Sequence, residues 1–287
     1  MSECFFVSDL HGRKSRYRSL FARIAEEKPG GVFLGGDLFP GLRTQAGGDF
    51  LDGFFAPGMA WLKAKLGRDY PRVFLILGND DSKLHEEGLL RWMENRELWE
   101  YIHNRAVEFG DYTIYGYNFV PPTPFFNKDW ERYDISRFVD PGCIPPEEGW
   151  HSVPGLLNEI EHATISKDLL QLTGDEDLSR AVFLFHTPPY QTKLDRAALD
   201  GQSVDHAPLD LHVGSIAVKD FILEREPWLT LHGHVHESPQ ITGDWKDRLG
   251  KTVSLSAAHS GPELALVRFR LYEPQKATRD LIPGDPV

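Results

Sequence analysis

Seven side chains of metal-binding type recur at one kind of address in this chain. Asp9 and His11 follow the apolar run Cys4–Val7, Asp37 follows Val32–Leu34, and Asn79 follows Val73–Leu77. His186 follows Val182–Phe185, and His234 and His236 follow Trp228–Leu231. Two carboxylates, one amide oxygen and four imidazoles make a donor set for two divalent cations, and they suit Mn, Fe, Zn, Ni or Co rather than a thiol-seeking ion. Each piece has a plain alternative. A strand-end Asp often caps a turn, Gly78-Asn79-Asp80-Asp81 reads as an ordinary Asn/Asp turn, and His186 before Thr187-Pro188-Pro189 reads as a satisfied core histidine. Gly233-His234-Val235-His236 is the strongest piece, because alternate residues of an extended segment point the same way. The shared address outweighs any single member, since α/β proteins gather functional groups beyond the carboxyl ends of their strands.

The elements that must position these groups alternate along the first eighty residues. Cys4–Val7, Gly31–Leu34 and Arg72–Leu77 read as buried strands. Ser15–Lys28 carries Tyr17, Leu20, Phe21 and Ile24 at helical spacing and stops at Pro29-Gly30, and a second helical stretch runs from about Phe50 to Leu66 after a glycine-rich loop. That rhythm predicts a sheet with parallel pairs. Arg105–Phe109 and Tyr112–Tyr115 flank Gly110-Asp111 as a hairpin. Helical spacing returns at Leu156–Leu172, and strand Val182–Phe185, helix Ser215–Arg225 with Ser215 as cap, and strand Trp228–Leu231 restore the α/β order. Thr252–Leu255 and Leu264–Leu271 suggest antiparallel strands before a polar tail. No repeat, low-complexity block or linker interrupts the chain, which predicts one domain over residues 1–287.

Composition limits the function classes. The 287 residues are 41% hydrophobic and carry net charge −12, from 43 acids against 31 bases, which argues against broad nucleic-acid binding. No apolar run approaches the roughly 20 residues of a membrane span, and no secretory signal is evident at Met1–Leu10. Cys4 and Cys143 are the only cysteines, too few for a disulfide scaffold, so a reducing cytoplasm is the expected location.

Asp9-x-His11, Gly35-Gly36-Asp37, Gly78-Asn79, His186 and Gly233-His234-x-His236, taken together and in this order, resemble the calcineurin-like metallophosphoesterases across residues 9–236. The resemblance implies an α/β four-layer sandwich of two mixed β-sheets flanked by α-helices, with the metal site at the strand carboxyl ends. It implies a first metal held by Asp9, His11 and His236, a second held by Asn79, His186 and His234, and Asp37 bridging them. Two such cations, about 3.5–4 Å apart, clamp phosphoryl oxygens and activate a bridging water. The implied function is metal-dependent hydrolysis of a small-molecule phosphoester by attack of a metal-bridging hydroxide. The substrate would be a diester or an activated monoester, nucleotide-like ones included. His232 falls outside the pattern and reads as structural or supporting.

The chain departs from the family where many members have His after the motif Asn. Asp80 stands there instead, which leaves Asp80 as the candidate catalytic acid and favours good leaving groups or diesters. Leu77 stands where protein Ser/Thr phosphatases of the family typically have Arg, which lowers the case for a phosphoprotein substrate. The segment at about 117–150 holds six prolines and the rings Tyr117, Phe119, Phe125, Phe126, Trp130, Tyr133 and Phe138. It reads as an inserted loop that lids a substrate, packs on its own sheet or forms a subunit contact. Lys128, Arg132 and Arg137 in it meet either phosphate or solvent. His212 is the candidate substrate-binding residue, with His206 and His259 as weaker ones. Two alternatives remain open: a non-catalytic metal-binding scaffold of the same fold, and a metal-dependent nuclease, against which the acidic balance speaks.

Overall fold

The computed structural model describes residues 3–41 and 50–284; most of the glycine-rich loop, the first two residues and the last three lie outside the described residues. In chain order the first half contains β1 (Cys4–Val7), α1 (Lys14–Glu27), β2 (Gly31–Gly35), α2 (Ala56–Leu66), β3 (Arg72–Ile76), α3 (Leu84–Arg96), β4 (Glu100–Tyr101), β5 (Arg105–Phe109) and β6 (Tyr112–Tyr117). The second half contains α4 (Leu157–His162), α5 (Ile165–Thr173), β7 (Ala181–Phe185), the ribbon β8 (Ser203–Val204) and β9 (Ala207–Pro208), α6 (Ile216–Arg225), β10 (Leu229–His232), α7 (Ser238–Thr242), β11 (Lys246–Leu249), β12 (Thr252–Ser256), β13 (Leu264–Phe269) and β14 (Thr278–Ile282).

Among the described residues, two six-stranded mixed sheets form, in the orders β14-β13-β1-β2-β3-β4 and β11-β12-β10-β7-β6-β5. In the first, β1 to β4 run parallel and β13 returns antiparallel against β1. In the second, β6, β7, β10 and β12 run parallel, with β5 and β11 antiparallel at the edges. The near-continuous apolar strands follow from burial on both faces. Phe6, Phe33 and Phe74 of one sheet meet Val182, Leu184, Leu229 and Leu231 of the other in the central core. Phe5, Val7, Val32 and Leu75 face outward under α1 and α2, and Phe183 packs edge-on against Phe221 of α6. Helices outside both sheets complete the four layers. Among the described residues no helix is long and apolar enough to cross a membrane.

Several elements differ from the sequence expectation. Leu156–Leu172 is two helices, because Ala163 and Thr164 are extended and Thr164 Oγ1 caps α5 by accepting from the Lys167 N–H at 3.3 Å. β12 pairs antiparallel with β11 but parallel with β10. α3 and β14 have no counterpart in that expectation: α3 carries Gly88 and, among its described side chains, fully buries only Leu89, and β14 is a half-exposed edge strand.

His232 shows what such a core does to a titratable group. Its ring stacks on Phe185 at 5.7 Å, Nδ1 donates to the Thr187 carbonyl at 2.9 Å, and Nε2 accepts from the Thr230 hydroxyl at 2.8 Å. Burial pushes its pKa down to about 4. The folded state therefore holds the neutral ring while the unfolded chain binds a proton below about 6.5. Stability from this group is complete above that value and is lost as pH falls toward 4. Between pH 7 and pH 5 the loss should be about 2 kcal/mol. Urea titrations of the chelator-treated protein at both pH values should show the His232→Asn variant losing correspondingly less than the wild type. Equal losses would refute the assignment.

Candidate metal centre

The site forms where both sheets end. Asp9 follows β1, Asp37 follows β2 and Asn79 follows β3, while His186 follows β7 and His234 and His236 follow β10. The turns after β1 and β2 are laced together: the N–H groups of Asp9, His11 and Gly12 donate to the carbonyls of Gly36, Asp37 and Leu38 at 3.0, 2.8 and 2.9 Å. Asp9, His11, Asp37 and His234 all take positive φ, between 47° and 74°, a conformation that costs roughly 1–2 kcal/mol per non-glycine residue. Such strain persists where surroundings over-determine it, and it marks functional sites.

The structure brings the seven sequence-predicted ligands together. His11 Nε2 lies 3.1 Å from His236 Nε2 and 3.9 Å from Asp37 Oδ2, and His236 Nε2 lies 3.2 Å from Asp9 Oδ1. The ligand atoms of Asp9, His11, Asp37 and His236 lie within 4.8 Å of one another. Beside them, His186 Nε2 stands 3.1 Å from Asn79 Oδ1 and 3.3 Å from Asp37 Oδ2, and its ring meets that of His234 at 5.2 Å. Asp37 thus touches both groups. Donors about 2.1 Å from a shared cation stand roughly 3–3.4 Å apart, which all of these side-chain separations match except the 3.9 Å between His11 and Asp37.

A metal fits this donor set for a further reason. His186 Nδ1 donates to the Gly35 carbonyl at 2.8 Å, so the neutral ring presents a lone pair at Nε2. That lone pair faces two oxygens, three acceptors without a hydrogen among them, and the group needs a positive charge. Burial opposes charge on His186, yet Asp37 and Asp9 drive its pKa up to about 10. Burial raises the Asp37 carboxyl, but His186 and His11 hold it at about 2, and Asp9 is held well below the usual range by His236, His186 and His11 despite its burial.

Glycine is required where backbone meets ligand. A Cβ on Gly78 would lie 2.3 Å from Asp37 Oδ1 and 2.6 Å from His186 Nε2, and one on Gly36, at φ +92°, would lie 2.6 Å from His186 Nδ1. Asp80 borders the same place. Its N–H donates to Asp37 Oδ1 at 2.9 Å, its carboxylate is 3.5 Å from His11 Nδ1, and Asp37 together with burial raises its pKa to about 7.

Asp37, Asn79, Asp80, His234 and His236 open onto a cleft of about 620 Å³ that His212 also lines. Its other walls come from the segment after β6 and the loops after β7 and β10. His212 Nδ1 is 2.8 Å from the buried carboxylate of Asp195, which also accepts from the N–H groups of Gln191, Thr192 and Gly214. His206 sits in the β8–β9 turn, and His259 pairs with Glu263 at 2.9 Å away from the cleft. The loop cations face elsewhere. Lys128 is buried against Glu131, Arg132 pairs with Asp168 and Glu159, and Arg137 pairs with Glu147.

Sequence reasoning missed three supporting residues. Asp81 accepts from the N–H groups of Leu38, Phe39 and Gly78 at 3.1, 2.8 and 2.9 Å, joining the turns that carry Asp37 and Asn79; its place beside Asn79 was the available signal. Asn127 Nδ2 donates to the Asn79 carbonyl at 2.9 Å, and Asp195 orients His212. Neither stands near a motif in sequence.

A model of the calcineurin-like phosphoesterase family matches residues 4–238. One solved structure superposes with TM-score 0.63 at 15% identity, covering 98% of this chain and 99% of the other. The protein TT1561 of Thermus thermophilus superposes with TM-score 0.53 at 16% identity, covering 98% of each chain. At these identities the structural likeness speaks for the fold alone. No curated protein matches the chain.

Asp81→Asn tests the anchoring of the two turns. The amide presents N–H where a backbone N–H now donates, so the variant should lose about 3 kcal/mol of stability in urea titrations. A change within experimental error would show that the three hydrogen bonds do not hold the turns.

Proposed function

The chain belongs to the calcineurin-like phosphoesterase family, and from that premise we propose that it hydrolyses a small-molecule phosphoester, a diester or an activated monoester, with two divalent cations of the Mn, Fe, Zn, Ni or Co group. The observation that carries this reading is the meeting of lone pairs and carboxylates around Asp37 at the floor of a cleft. Asp9, His11 and His236 would hold one cation, Asn79, His186 and His234 the other, with Asp37 shared. Such cations supply Lewis acidity and charge neutralisation to a phosphoryl group.

The chain's own groups do the rest. The backbone N–H of Asp80 fixes Asp37 Oδ1, and the Asp80 carboxyl borders the cleft with a pKa that its acidic neighbour lifts toward neutrality. Its part in catalysis is modest, because cations beside it favour the carboxylate, which has no proton to give. His212 is held by Asp195 and turned to the cleft, the arrangement of an imidazole that contacts substrate. A scaffold role would leave such a cleft without purpose. A nuclease would need cationic side chains along it, whereas among the described residues neither lysine nor arginine lines it. The cytoplasmic reading rests on Cys4 and Cys143 both being free.

Bis(p-nitrophenyl) phosphate should be turned over after Mn addition, and His234→Ala should lower kcat/KM at least a hundredfold. Asp80→Ala should cost less than about tenfold on this substrate, whose leaving group needs no proton, and His212→Ala should act mainly on KM. No Mn-dependent turnover of aryl mono- or diesters would sink the proposal.

A further inference from the structure

The cleft beside the metal centre has a composition that an ordinary phosphate site would not need. Its outer wall is built from Phe125, Ile135, Phe138, Leu199, Leu209 and Val213. Its charged side chains, histidines aside, are all acidic: Asp37, Asp80, Asp134, Asp140, Asp210 and Glu237. Three of these are engaged by the fold. Asp134 accepts from Ser215 Oγ and the N–H groups of Ile216 and Ala217 at the start of α6, Asp210 accepts from the Tyr190 hydroxyl and the His212 N–H, and Glu237 accepts from the Ala198 N–H. What the outer cleft offers a ligand is therefore chiefly apolar surface.

That surface is exposed. Phe138 is 70% exposed, Phe125 58% and Ile135 51%, in a segment where Tyr117, Phe119, Trp130 and Tyr133 are buried and Phe126 and Trp150 are exposed outside the cleft. Large apolar side chains grouped on a soluble surface mark a binding face. The wall is also held in place. Thr123 is tied to Glu131, and its carbonyl accepts from both Lys128 and the Ile144 N–H, so the turn carrying Phe125 rests on a fully buried ion pair. Ile135 adjoins Asp134, which is pinned to α6. The rings thus stand at the cleft mouth instead of folding into the core.

We infer that the outer cleft takes the apolar organic group of the substrate, so that the preferred phosphoester carries a long alkyl, acyl or aromatic substituent and a single phosphoryl group. This rests on the proposed phosphoesterase reading and specifies its substrate class. Continuity decides the occupant: the floor of the cleft is Asp37, Asn79, His234 and His236, so a phosphoryl group at the metal centre puts its substituent against these walls. The acidic rim disfavours polyphosphates and nucleic acid, whose further anions would find no cation there.

The test measures binding and turnover on the Mn-loaded full chain. Calorimetry with ethylphosphonate and octylphosphonate, kept below the micellar range, should give at least tenfold tighter binding of the octyl compound. Ile135→Ser and Phe138→Ser, at exposed positions where folding is readily checked by circular dichroism, should each reduce that ratio to about threefold or less. Octyl p-nitrophenyl phosphate should exceed the ethyl diester in kcat/KM by a similar factor. Equal affinities, or a ratio unmoved by both substitutions, overturn the inference while Mn-dependent turnover of the ethyl diester leaves the phosphoesterase reading intact. Chain-length-dependent binding without any Mn-dependent turnover overturns that reading, and with it the assignment of the cleft to a substrate group. Equal affinities together with a dimer in sedimentation that Phe138→Ser weakens would assign the surface to a second copy of the chain.

Discussion

Two carboxylates, Asp9 and Asp37, lie almost wholly out of water at the end of the sandwich, and much of the surrounding architecture answers that fact. An isolated ionised carboxylate in such a place carries a penalty of several kcal/mol even after relaxation. Here each is met from several directions. Asp9 accepts from Ser8 and the His234 N–H and borders the His236 ring, and Asp37 accepts from the Asp80 N–H and borders the His186 ring. These partners come from both sheets, so neither sheet could form the centre alone. The left-handed backbone at four of the ligands and the absence of a side chain at Gly36 and Gly78 are consequences of crowding so many strand ends onto one volume. A centre arranged this way could be completed by positive charge, and the side chains that could hold a metal ion come from both sheets.

Much of this was legible in the sequence because short polar clusters at the ends of apolar runs have few uses. Strand direction then supplied the convergence: β1, β2 and β3 share one direction in their sheet, as β7 and β10 do in theirs, so groups that follow them gather at common ends. The calcineurin-like resemblance rested on those same residues. The supporting layer was not legible. Asp195 is far in sequence from the motifs it serves, and its role arises only when the loop after β7 folds back to bring His212 to its carboxylate. Asn127 reaches the Asn79 carbonyl from a segment with no periodic signal. The break at Thr164 was hidden because both halves of that stretch keep helical spacing, and the stop comes from the cap and from the Ile165 and Ser166 N–H bonds to the Tyr133 and Asp134 carbonyls.

The proline-rich segment buries part of itself and leaves part exposed at the cleft. Tyr117, Phe119 and Trp130 join the core over the second sheet, with Arg132 lying 4.0 Å above the Phe119 ring. That anchoring fixes the backbone from which Phe125 and Phe138 project outward. A buried pair such as Lys128–Glu131 is a weak source of stability, since desolvation offsets most of its attraction. Its value here is geometric. Lys128 also donates to the Thr123 carbonyl, which ties the pair to a turn without regular secondary structure.

The electrostatics then constrain what reaches the centre. The whole chain carries net charge −12, and the rim of the cleft is acidic, so an approaching anion is repelled until it meets the centre beneath. That repulsion grows with each added charge on the ligand. A monoanionic diester is opposed least, a dianionic monoester more, and a polyphosphate or nucleic acid most. Attraction across the outer cleft must come from a source that does not depend on charge, and the burial of apolar surface is the one available there. Under the proposed reading, charge would limit the phosphoryl end of the substrate while the apolar wall would select the other. The cations of the loop do not offset that repulsion: Arg132 and Arg137 pair with Asp168 and Glu147, and among the described residues no lysine or arginine lines the cleft.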